Sequence, residues 1–179
     1  APLSRLIASN VDPLVNSTLL QIGQVLIEAT NISPIIMGII LGGLITVVGT
    51  SPLSSMALTS IIGLTGLPMA IGALGAFGSA FMNSTLFAKL KLGSKKDIIS
   101  VAIEPLTQSD IISANPIPIY STNFFGGAFS GIIVALMGLV NMTPGTATPV
   151  AGFAIMFAYN PVQQVLITAG LCALFNVIA

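Results

Sequence analysis

The chain has 179 residues, of which 54% are hydrophobic and 6% charged, with zero net charge and a mean hydropathy of +1.02. A water-facing surface uses roughly 25% charged residues, so a soluble globule is excluded, and zero net charge leaves no basic face for nucleic acid. With no histidine, the commonest general base and metal ligand is missing, and Cys172 has no second cysteine to pair with.

Placement of the charges sharpens this. No Asp, Glu, Lys or Arg occurs between Glu28 and Lys89, or after Asp110. About 20 apolar residues span the hydrocarbon layer, so each stretch holds two or three crossings. The apolar runs Ile35–Val48 and Phe124–Val140 are continuous rather than alternating, which favours helices over a barrel. The expected fold is an all-α integral membrane protein, a multi-helix bundle with two structural repeats and re-entrant or broken helices.

Residues 1–30 read as the end of one helix, a polar boundary at Asn10 and Asp12, and a new helix opened by Pro13. That helix is apolar at Leu14, Val15, Leu19, Ile22 and Leu26 but polar at Asn16, Gln21, Gln24 and Glu28, a pattern suited to an interface or to a protein-lined crossing. Residues 31–97 form the first membrane unit. Ile32–Val48 is a crossing with Gly38, Gly42 and Gly43 for close helix contact. The break Gly49–Ser55 follows, then a short apolar piece to Leu64, then a crossing from Pro68 to Phe87. Lys89, Lys91, Lys95 and Lys96 place the next loop in the cytoplasm by the positive-inside rule. Residues 98–114 are mixed in character and contain Glu104-Pro105. Residues 115–179 form the second unit: a Pro-rich interruption at 115–118, a crossing over Ile119–Val140, the break Asn141–Pro149, a short piece to Tyr159, and a last crossing from Asn160-Pro161.

The two units resemble each other. Asn31, Pro34, Ile35, Gly42 and Gly43 recur 84 residues on as Asn115, Pro118, Ile119, Gly126 and Gly127. Pro68, Ala80 and Asn83 recur 93 residues on as Pro161, Ala173 and Asn176. Duplicated halves with interrupted segments at a midplane solute site are a transporter pattern. Whether the halves run parallel or inverted depends on the short pieces and stays open at this point.

Glu104 is the leading candidate for binding a solute. A carboxylate near hydrocarbon is costly and usually faces a polar cavity, where it accepts hydrogen bonds from sugar-type hydroxyls; the rival reading is a solvated residue on a cytoplasmic helix. Pro105, Gln108, Asp110 and Asn115 are its neighbours in sequence. Asp110 and Asn115 also suit helix caps. Thr50, Ser51, Ser54, Thr143, Thr146 and Thr148 either line a polar path or satisfy the backbone of broken helices. No nucleophile–base pair, phosphate loop or metal cluster is present, so neither catalysis, a cofactor nor a metal is expected.

At Ala102-Ile103-Glu104-Pro105-Leu106-Thr107 the chain resembles the sugar-translocating EIIC subunits of the bacterial phosphotransferase system, in which a Gly-Ile-Thr-Glu-Pro-type segment places its Glu at the sugar. The runs Asp12–Leu20, Asn115–Tyr120 and Pro144–Pro149 resemble the EIIC-like branch that includes perfringolysin-regulator-type membrane proteins. The resemblance implies a C-terminal portion of a longer protein in the bacterial cell membrane. It also implies a homodimer that binds a sugar or similar small polar solute at Glu104, with a phosphocarrier subunit as a further partner. The family's subunits use a His near the sugar and a IIB domain, and this chain has neither. The expected function is an EIIC-like transport subunit; the alternative is a membrane sensor or regulator that keeps the fold without net transport.

Overall fold

The computed structural model describes residues 2–178, with side chains described at Pro13 and from Ser17 onward. The described residues form helices α1 (Pro2–Ala29), α2 (Pro34–Thr50), α3 (Ser55–Ile61), α4 (Gly66–Leu90) and α5 (Lys95–Ile103). A 3-10 turn (Pro105–Gln108) leads into α6 (Ser109–Ala114), α7 (Pro116–Met137), α8 (Pro149–Met156) and α9 (Val162–Ile178). No strand occurs among them. The fold is all-α, and α4 and α7 are long and apolar enough to cross a membrane.

The breaks follow from local chemistry. Pro52 disfavours helical backbone at Ser51, which is extended at φ −88° and ψ 168° and caps α2. The second break opens at Gly138, left-handed at φ 65°. One expectation is corrected. The helix start at Asp12-Pro13 is absent, because α1 runs straight through Pro13; a membrane helix accommodates proline where the freed carbonyl finds another partner. The side chains of Asn10, Asp12, Leu14, Val15 and Asn16 lie outside those described. The interruption expected at 115–118 is present: α6 stops at Ala114, Asn115 leaves helical backbone at φ −131° and ψ 53°, and Pro116 opens α7, where a missing amide costs nothing.

Helix directions can be read from contacts. Gly38 meets Gly131, Gly42 meets Gly127, and the Thr46 hydroxyl donates to the Asn123 carbonyl, so α2 and α7 are antiparallel. Neither seam glycine has room for a Cβ, so the two backbones touch, as small residues allow in lipid. Asn83 pairs with Asn123, and Gly78 meets Ser130, which makes α4 antiparallel to α7 as well. Gln164 donates to the Met137 carbonyl and Asn176 to the Ser130 hydroxyl, giving α9 the same direction as α4. Thus α2, α4 and α9 run one way and α7 the other.

Since α2 and α4 are parallel, α3 must carry the chain back between them. In the second unit, residues 139–148 descend from the end of α7, and α8 returns beside α4, with Pro149 near Ala80 and Gly152 against Ala73. A third excursion enters from the lysine end: α5 climbs beside α4, with Ser84 bonded to the Ile98 carbonyl, and α6 leads back to the start of α7. Phe87, Val101, Ile112 and Ile119 bury its base.

Candidate functional site

Three excursions end at one level. The start of α3, the tip of the α5–α6 hairpin and the start of α8 all line a cleft beside Ala76 and Ser79, near the midpoint of α4. Ser54, Ser55, Glu104, Thr148, Thr46 and Ser79 supply its polar groups. The space open to the centre of a water molecule is about 20 Å³, room for about one water. A wider apolar groove of about 400 Å³ adjoins it and shares Met56, Glu104 and Thr148. Glu104 therefore stands at the throat between a narrow polar cleft and an open groove.

Local structure explains how the carboxylate reaches that position. Ser94 and Asp97 form a capping box that starts α5. Pro105 then ends it, since the residue before proline is pushed out of helical backbone, and Glu104 is extended at φ −149° and ψ 100°. No lysine lines the cleft or the groove. The starts of α3 and α8, the positive ends of their macrodipoles, line the same cleft as Glu104.

The hydroxyls are largely committed as donors. Ser55 Oγ donates to the Ala147 carbonyl at 2.8 Å, tying the α3 tip to the α8 tip. Ser79 Oγ donates to Ala76 at 2.9 Å, and Thr46 Oγ1 reaches the Gly42 and Asn123 carbonyls at 2.8 Å. The Thr46 hydroxyl is spent in the α2–α7 contact, and the remaining lone pairs of Ser55 and Ser79, with the Glu104 carboxylate, supply acceptors to the lining. Such a lining suits a solute that brings its own hydroxyl donors.

Of the residues singled out in the sequence, Glu104, Pro105, Ser54 and Thr148 lie at the cleft. The others do not. Thr50 and Ser51 are buried and bonded back onto α2, to Thr46 and Val47 and to Val48 respectively. Thr146 donates to the Thr143 carbonyl and accepts from Asn141, while Thr143 meets the Tyr159 hydroxyl. Gln108 is buried against Thr107, Asp110 is exposed in the first turn of α6, and Asn115 bonds back to the Ile111 carbonyl. Sequence reasoning misses Ser55, Ser79 and Thr46 as site residues. Ser55 carries the same signal as Ser54, one residue away in the same break; Ser79 and Thr46 sit inside helices and carry none.

No curated protein and no solved structure matches the chain. The family model described as "Phosphotransferase system, EIIC" matches residues 1–179. Apolar helices interrupted by short excursions, with a Glu-Pro tip at their meeting point, agree with that match. The chain belongs to the EIIC family of the phosphotransferase system, the membrane subunits of sugar transport.

Proposed function

We propose that this chain binds a sugar between the three tips, with Glu104 accepting hydrogen bonds from its hydroxyls, and carries it across the bacterial cell membrane. The observation behind this reading is the convergence of Ser54-Ser55, Glu104-Pro105 and Thr148-Pro149 at the midpoint of α4. Interrupted helices meeting at mid-depth are a recurrent way to build a solute site in lipid. The cleft is shut around about one water, so a sugar must part the tips. The groove beside Met56, Ile103 and Val150 is the side from which it gains access. In this reading the chain works as a homodimer, with the Lys89–Lys96 turn in the cytoplasm and a phosphocarrier subunit on that side.

The test is a panel of sugars assayed by thermal shift on purified protein, followed by uptake into vesicles, with Glu104→Gln alongside. The expected result is one stabilising sugar whose affinity falls about 10- to 100-fold in the variant, the range for a hydrogen bond to a charged group. Uptake should fall with it. Saturable binding without uptake would support the sensor or regulator alternative. An affinity unchanged by Glu104→Gln would remove the site from this cleft, and no binding by any sugar would overturn the reading.

A further inference from the structure

The turn between α4 and α5, with the helix ends that flank it, carries four lysines in eight residues, Lys89, Lys91, Lys95 and Lys96, all exposed. It follows directly on α4, whose 25 residues measure about 37 Å at 1.5 Å per residue, longer than a hydrocarbon core of about 30 Å. The lysines therefore emerge at headgroup level. Leu90 and Ile99 beside them are 47% and 63% exposed, apolar groups suited to the boundary between headgroups and acyl chains.

Lys89 lies in the last turn of α4, where a cation favours the helix. Lys95 and Lys96 are in the first turn of α5, where the macrodipole opposes them. Asp97 already supplies the favourable charge through its bonds to Ser94, and the pull of Lys96 on that carboxylate is the lesser contribution. With Asp97 and Asp110 counted, the hairpin base still carries two net positive charges, while the far-end segments 62–65, 138–148 and 157–161 carry none.

We infer that this turn is a binding surface for anionic phospholipid headgroups of the adjoining leaflet. Basic side chains at such a surface favour anionic lipid by about fivefold each. A headgroup held at Lys95 and Lys96 anchors the foot of the same helix whose other end is Glu104.

The chain contains no tryptophan, so Ile99→Trp provides a single reporter beside the lysines. The protein is placed in phosphatidylcholine bilayers doped with brominated phosphatidylglycerol or brominated phosphatidylcholine, and quenching is compared. Phosphatidylglycerol should outcompete phosphatidylcholine about 25-fold at low salt, fivefold for each of the two net charges. The preference should approach unity when all four lysines are changed to Gln, and in about 1 M salt. A second reporter, Leu136→Trp at the opposite end of α7, should show no preference. Equal quenching by the two lipids at Ile99→Trp, or a preference that survives the four substitutions, overturns the inference. Loss of the preference to inorganic phosphate, beyond the effect of matched ionic strength, assigns the surface to a free phosphate and overturns it too. Lysine variants that keep the lipid preference but slow sugar phosphorylation assign the lysines to a protein partner, and that outcome likewise overturns the inference.

Discussion

The two spacings at which the sequence repeats itself correspond to two different geometries. At the spacing of 84, Gly42 and Gly43 match Gly126 and Gly127, and one glycine of each pair meets the other, because α2 and α7 pack antiparallel with Gly42 against Gly127. The relation there is antiparallel. At the spacing of 93, Pro68, Ala80 and Asn83 on α4 match Pro161, just before α9, and Ala173 and Asn176 on α9, and the two helices run the same way. Asn83 and Asn176 both reach α7, through Asn123 and through Ser130. The glycine seam is a dry contact of backbones with nowhere for a solute to sit. The parallel helices are each preceded by a short helix, α3 or α8, and the starts of those two helices make the cleft. Rigidity and solute binding are thus assigned to different spacings of the same chain.

The seam should be the most sensitive part. A Cβ on Gly127 collides with the Thr46 hydroxyl and the Gly42 carbonyl, and neither backbone can retreat. Gly127→Leu should cost about 3 kcal/mol, the upper range for overpacking, or prevent folding altogether. Thermal unfolding in detergent measures it. Gly170→Leu, at a glycine with open space around it, is the control. Equal tolerance of both substitutions would refute the division between seam and cleft.

The amide contacts come next. Asn83 and Asn123 are fully buried and bonded to each other at 2.7 Å, with Asn83 Nδ2 and Asn123 Oδ1 left unsatisfied. Asn123→Leu strands the Asn83 amide and should lose about 1–3 kcal/mol, whereas the double change of both residues to Leu should recover much of that loss. Asn176→Leu should behave like the milder case, since its partner Ser130 is a hydroxyl that can turn to a nearby carbonyl. Ser55→Ala follows, at about 1 kcal/mol for the bond to Ala147. Because that bond joins two tips, the substitution should alter sugar affinity more than it alters unfolding temperature. Parallel titrations and melting curves would separate the two.

Much of the fold is legible in the sequence because membrane helices leave strong traces: long uncharged runs, a lysine cluster, and breaks where Pro, Ser and Thr gather. Glu104 is legible for the same reason, as the one carboxylate bracketed by apolar residues and a proline. What cannot be read is direction. Gly42 and Gly127 each stand in a Gly-Gly pair within apolar text that reads the same whether their helices run parallel or opposed, and only the three-dimensional contact distinguishes the two. The role of Ser79 is hidden because a serine flanked by Gly78 and Ala80 in the apolar, small-residue helix α4 looks the same facing a cleft or a neighbour. Thr50 and Ser51 mislead in the opposite sense: at a helix end their hydroxyls find freed carbonyls of their own helix within one turn, and that local bond leaves them unavailable to a solute.

The smallest effect concerns the foot of the hairpin rather than its tip. Ser94 donates to the Asp97 carboxylate from its backbone at 2.7 Å and from its hydroxyl at 2.8 Å. These bonds, with a lesser pull from Lys96, hold the carboxyl below its ordinary value of 3.8. A carboxylate lowered on folding contributes stability that is complete above that ordinary value and disappears as pH falls through the lower, folded one. The start of α5 should therefore loosen below about pH 4, while the seam, which contains no titratable group, stays unchanged. Hydrogen exchange at the Ile98 amide, which bonds to the Ser94 carbonyl at 3.1 Å, reports the loosening directly. Asp97→Asn should show the faster exchange at neutral pH and no further acceleration in acid. If the wild-type amide exchanged no faster relative to the Asn variant as pH falls, the capping box would not hold the foot of the Glu104 limb, and its rigidity would have to come from Val101 and Ile112 packing on Phe87.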